Sequence, residues 1–209
     1  METPELTAFR DECAATDATL ATVPTEAWAG RALGSWTLAE LVAHLLGAVS
    51  RLTAYVDTPV EGDTPALDRV AYFRALRPTD APMIAQRAVA GARGVDAETL
   101  PALFTEAWRD DADLAATLPP ERVLATRLGP ARADEYLATR VLEVTVHHLD
   151  VRAALDLPPA PSPTGGALTM HLLEGLLAGP RPRNLGRVRF IQAATGRIPS
   201  DDPRFPLVS

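Results

Sequence analysis

"RVLEVTVHHLDV", residues 140–151, sets two adjacent histidines and two carboxylates in a strongly apolar run. On an ideal helix, at about 100° per residue, His147 lies roughly 40° to one side of Glu143 and Asp150 roughly 20° to the other. Leu137, Val144 and Val151 flank that stripe on one side, and Leu142, Val146 and Leu149 on the other. The charged stripe of a surface helix should lie opposite its apolar arc; here it lies in the middle. Burying an unpartnered carboxylate or imidazole costs several kcal/mol, so these groups must pair, hydrogen-bond or hold a metal. The same geometry turns Thr145, Arg152, Ala138 and His148 to the opposite face, so His148 is expected to point outward and to ligate nothing.

A glutamate and a histidine one turn apart supply two ligands from a single inward-facing helix, although that spacing is weak alone. A third candidate is His44, midway through "LVAHLLGAVSRL". Leu41 and Ala48 share its face, and the small residues Gly47 and Ala48 leave room beside the imidazole. Three N/O ligands leave one tetrahedral position of Zn²⁺ open, which is the arrangement of a catalytic site; Ni²⁺ or Fe²⁺ fits the same ligands. Asp150 is the natural acceptor for the second N–H of a ligating histidine. Arg140 and Tyr136 lie one and two turns before Glu143 on its side, and with Ala48 they are candidates for lining a pocket.

Working outward, helical periodicity dominates. Helices are expected at 4–22, from about 38 onward, at 66–76, 81–92, 96–117, 133–156 and 164–178. Thr37 and Glu40 stand in capping-box spacing at the start of the second. Residues 24–34, the polar stretch 57–65 and "PPERVLATRLGPAR" read as connections, and "PPAPSP" as a proline-rich linker. The segment "RVRFIQAATGR" alternates basic and apolar residues, which suggests one or two short strands, followed by an irregular end. The expected fold is all-α: an antiparallel four-helix bundle with an extra C-terminal helix and a short irregular or β tail. The expected division is a metal-binding bundle over 1–179 and a tail over 180–209, without a second domain.

Composition narrows the function classes. The chain has 209 residues, 47% hydrophobic and 22% charged, enough for one core and unlike a disordered segment. Its net charge of −7 gives no electrostatic reason to expect nucleic acid or an anionic membrane as partner. The acidic N-terminus lacks the apolar region of a signal peptide, and no run approaches the length of a membrane span, so a soluble cytoplasmic protein is expected. The single cysteine, Cys13, cannot form an intrachain disulfide and reads as a small core residue beside Leu6, Phe9 and Leu20. Trp108 reads as core, and His171 as packing or surface.

Two segments carry a family resemblance. "SWTLAELVAHLLGAVSRL" resembles the second-helix signature of DinB-like four-helix-bundle proteins, and "RVLEVTVHHLDVRAALDLP" the late-helix signature of their mycothiol-dependent branch. The chain is similar over about 4–178 to the N-terminal-domain family of mycothiol-dependent maleylpyruvate isomerase and related thiol S-transferases. The resemblance implies that His44, Glu143 and His147 hold a divalent metal, usually zinc, whose open position takes the thiol of mycothiol. It implies a metal-bound cofactor thiolate as nucleophile, with no protein nucleophile, attacking a small electrophilic substrate. Resemblance to the isomerase itself would imply a C-terminal α/β domain that contributes a basic residue to substrate binding; only about 30 residues follow the last expected helix here, so S-transfer to another electrophile is expected over maleylpyruvate isomerisation. Two alternatives remain at this point: a metal-binding bundle with hydrolase or other metal-dependent activity, and a non-catalytic interaction or stress-response protein of the same fold. The oligomeric state is open, a homodimer included.

Overall fold

In the computed structural model, which describes residues 2–60, 66–77, 79 and 81–208, four long helices carry the core. They are α1 (Pro4–Leu20), α2 (Leu38–Val49), α6 (Leu100–Thr117) and α7 (Ala133–Ala154). Helices α1 and α2 each pack against both α6 and α7, closing an antiparallel bundle. Between α2 and α6 lie α3 (Leu52–Val56), α4 (Arg69–Arg74) and α5 (Ala81–Ala92), and α5 packs along α2. Residues 61–65 of the expected polar loop lie outside the described residues. Helix α8 (Pro163–Leu176) lies on α7 and α1, and α9 (Arg187–Ala194) lies on α8.

The local reasons for these helices are in the chain. Thr3 caps α1 through its hydroxyl, and Thr37 and Glu40 form a reciprocal capping box at the start of α2. The helix expected from residue 38 is interrupted at Ser50–Arg51. There the buried Asp111 of α6 accepts bonds from the backbone N–H groups of Leu52 and Thr53 and from the Thr53 hydroxyl, capping α3 separately.

Two connections fold as hairpins. Strands β1 (Arg31–Leu33) and β2 (Trp36–Thr37) pair antiparallel across Gly34, whose φ of 57° suits glycine. Strands β3 (Val123–Thr126) and β4 (Gly129–Arg132) pair from Val123↔Arg132 to Thr126↔Gly129, burying Leu124 and Ala131 against Tyr136. Both hairpins run directly into bundle helices, α2 and α7, and so fix where those helices begin.

The strands expected around 188–197 are not formed: that segment is α9 and the turn after it. The alternation over "RVRF" spans only four residues, whereas Phe190, Ile191 and Ala194 recur at helical spacing and are fully buried against α8. Burying Phe190 and Ile191 is worth about 3–6 kcal/mol, which outweighs a short polar–apolar alternation. After α9 the chain is irregular, and Phe205, Leu207 and Val208 pack against the same apolar cluster as Leu142 and Val146 of α7.

An ion cluster ties the start of α4 to the bundle. The Glu135 carboxylate accepts from Arg69 N (2.8 Å), Nε (2.7 Å) and Nη2 (3.0 Å), while Arg69 Nη2 also donates to Glu5 at 2.9 Å. Burial alone would raise the Glu135 pKa, but the bonds from Arg69 outweigh it and hold it below the ordinary value. A depressed folded-state pKa stabilises the fold above the unfolded value, near 4.3, and that contribution is lost as pH falls through the folded value. Glu135→Gln is therefore expected to cost about 1–2 kcal/mol in urea titrations at pH 7, with the gap to wild type narrowing as pH falls through the lowered folded-state value. A gap that stays constant as pH falls would contradict this account.

Candidate metal centre

Helix α7 has no solvent face along its middle: Val141, Val144, Thr145, Val146, His147, His148, Leu149, Asp150 and Val151 are all buried. With α2 on one side, α1 on another and α8 on a third, its polar side chains must find partners inside the protein. Its histidines and carboxylates do so in two groups, one on each side of the helix, whereas the buried Thr145 Oγ1 has no hydrogen-bond partner among the described residues.

The first group contains the three candidate ligands. His44, in the middle of α2, and His147, on α7, meet edge to face with ring centroids 4.8 Å apart. Glu143 Oε2 lies 3.8 Å from His44 Nε2 and 3.7 Å from His147 Nε2, and the three donor atoms all fall within 4.8 Å of one another. Those separations exceed hydrogen-bond length. Two ligands about 2.0–2.2 Å from one tetrahedral ion stand roughly 3.3–3.6 Å apart, so the two Glu143 contacts need to close by a few tenths of an ångström, and a pair as far apart as 4.8 Å by about 1.2 Å.

Protonation is consistent with ligation. His147 donates its Nδ1–H to Asp150 Oδ2 at 2.9 Å, which turns Nε2 toward the cluster. Burial lowers the His44 pKa, favouring the neutral ring that binds metal. Burial would raise the Glu143 pKa, but His44, Arg140 and His147 outweigh it and lower it to about 2, so the carboxylate is anionic. The donor set of two imidazoles and one carboxylate therefore fits Zn²⁺ or a related divalent ion.

Two cavities border the cluster. One, of about 390 Å³, shares His44 and Glu143 as wall and carries Arg51, Arg87, Arg127 and Arg140. Ala48 and Tyr136 also line it, and among the described residues Glu143 is the only acid that does. Arg140 lies over the rings of Tyr136 (5.0 Å) and Tyr72 (5.9 Å), and its Nε donates to Thr139 Oγ1 at 3.1 Å. The second cavity, of about 230 Å³, touches His44, Glu143 and His147 and is mostly apolar, with Trp36, Phe73, Leu142 and Val146 in its walls. The β1–β2 hairpin brings Trp36 to this place, its ring 5.1 Å from that of His44.

The residues around the three ligands also include Arg197, from the turn after α9. It grips Asp150 with two bonds, Nε to Oδ1 at 3.1 Å and Nη2 to Oδ2 at 2.9 Å. The tail carries several arginines with no distinguishing pattern, so only the contact itself selects this one. The second polar group of α7 is centred on His148, which does not point outward as expected. It is 1% exposed, donates Nδ1–H to Glu12 Oε1 at 2.7 Å and pairs through Nε2 with Thr19 Oγ1 at 2.8 Å. Glu12 Oε2 accepts from Ser162 N (2.8 Å) and Ser162 Oγ (2.7 Å), joining α1, α7 and the cap of α8. The helical wheel gave α7 a single buried face, but α1 covers the opposite one. His171 is exposed on α8, Trp108 is buried with its Nε1 donating to Asp17, and Cys13 is fully buried.

One family model, described as the mycothiol maleylpyruvate isomerase N-terminal domain, matches residues 9–152. Two solved structures are similar over 83% of this chain and 70% of theirs, each at 19% identity and a TM-score of 0.55. They are the mycothiol-dependent maleylpyruvate isomerase and a histidine-to-alanine mutant of it. At that identity the likeness is one of fold. No curated protein matches the chain.

Proposed function

We propose, from the premise that the chain belongs to the mycothiol maleylpyruvate isomerase N-terminal-domain family, that it is a metal-dependent thiol S-transferase using mycothiol on a small carboxylate-bearing electrophile. The observation that carries this reading is the convergence of His44, Glu143 and His147 at the junction of two cavities. A divalent cation held by these residues supplies a Lewis acid that keeps a coordinated thiol ionised at neutral pH.

The chain's own side chains do the remaining work. Asp150 keeps His147 in the tautomer that presents Nε2, and the Glu143 carboxylate offsets the positive charge gathered around it. Arg140, lying over the rings of two tyrosines, and the arginines around it favour a carboxylate group in the larger cavity. The apolar walls of the smaller cavity suit an apolar portion of a reactant beside the ligands. The nucleophile must come from outside, because the only cysteine is fully buried and burial pushes its thiol pKa up. In the transfer, the thiol loses its proton and a C–S bond forms. Either a leaving group departs with the displaced electron pair, or the pair enters the conjugated system and a proton is taken up.

The test is spectroscopic. Purified protein is expected to hold one divalent ion per chain, and the Co²⁺-substituted protein to change its d–d bands on adding mycothiol. A chain that takes up no metal after reconstitution would sink the metal reading, and an unchanged spectrum at saturating mycothiol would sink the thiol reading.

A further inference from the structure

We propose that Arg197, from outside the family-matched region, is a positioning residue of this centre, setting metal affinity through Asp150 and His147. The inference rests on the metal reading above and adds a role for the C-terminal segment.

The geometry is a three-membered relay. Asp150 Oδ2 accepts both from His147 Nδ1 at 2.9 Å and from Arg197 Nη2 at 2.9 Å, and Asp150 Oδ1 accepts from Arg197 Nε at 3.1 Å. Asp150 is 5% exposed, so its carboxylate has little access to water and relies on these donors. A fork-on-carboxylate contact fixes both the position and the plane of the acid. Fixing that plane orients the imidazole that Asp150 holds, and with it Nε2, which lies 3.7 Å from Glu143 Oε2.

Arg197 is itself held. Its Nη1 donates to Thr195 O at 2.6 Å, and its backbone N–H donates to Gln192 O at 2.7 Å, at the end of α9. Helix α9 is anchored by the fully buried Phe190, Ile191 and Ala194. Thr195 and Arg197 also line the smaller cavity, on the same wall system as His44 and His147. The segment that reads from sequence as a tail thus reaches the centre through one side chain. The match to the family model ends at residue 152, 45 positions before Arg197 (197 − 152).

The experiment is a double-mutant cycle read by metal affinity, with Zn²⁺ or Co²⁺ titrated against a chelator of known strength. Arg197→Ala and Asp150→Asn are each expected to weaken binding roughly 10–100-fold, and the double variant to bind no more weakly than Asp150→Asn alone. The Co²⁺ d–d bands of Arg197→Ala are expected to shift, and Arg197→Lys, which can make only one of the two bonds, to recover the affinity in part. Arg197→Gln serves if the alanine variant does not fold. Unchanged affinity in the Arg197 variants, or losses that add in the double variant, would overturn the proposal while leaving the metal reading intact. A wild-type protein without metal affinity would instead overturn that reading, and this inference with it.

Discussion

Glu143→Gln is expected to lower metal affinity by at least about 100-fold and the rate of thiol transfer by roughly 1,000-fold, with the helical fold unchanged. The substitution keeps the shape of the side chain and removes its charge. The amide oxygen is a weaker ligand, and the Arg140 guanidinium on the same wall is left without an anion to offset it. The rate loss has two parts. A free thiol at neutral pH is only a few per cent ionised, costing roughly 30-fold, and a thiol that is no longer held beside the electrophile loses at least as much again. Metal content by elemental analysis and single-turnover rates measure the two parts separately. Wild-type metal content and rate in this variant would remove Glu143 from the centre.

Glu12→Ala is expected to destabilise the protein by about 3–5 kcal/mol, a larger loss than that expected for Glu135→Gln because no water reaches the site. Glu12 is fully buried on α1, and its two oxygens accept from His148, Ser162 N and Ser162 Oγ. Alanine leaves those donors inside the protein without an acceptor, and it removes the join between α1, α7 and α8 at once. Gly165→Ala should fail at the same place, because a Cβ there would collide with Glu12 Oε2 and lie 2.7 Å from Ser162 Oγ. Urea denaturation at pH 7 gives the loss directly. Glu12→Gln keeps part of the network and is expected to fall between the alanine variant and wild type. A Glu12→Ala protein within about 1 kcal/mol of wild type would show that these bonds are replaced by water at no cost.

What could be read in the chain follows from how far each signal extends. Glu143, His147 and Asp150 stand out because α7 is long and the three interrupt an apolar arc at helical spacing. His44 stands out because it sits in another such arc beside small residues. The hairpins at 31–37 and 123–132 have strands of two to four residues, too short for an alternation to register. The role of His148 is hidden when a helix is given only one buried face. That assumption fails for α7, which is enclosed by α1, α2 and α8. Arg197 is hidden for a different reason: its partner lies 47 positions away, and nothing in the local pattern marks one tail arginine from the next.

The two cavities that meet at His44 and Glu143 bear on the order of events in turnover. Under the proposed function, thiol and electrophile each have a cavity that borders the centre, so neither has to leave before the other arrives. That is the layout of a ternary complex, with both reactants held at once and the sulfur passing between them across the shared wall. It needs no intermediate stored on the protein, in keeping with a chain whose only cysteine is sealed inside α1.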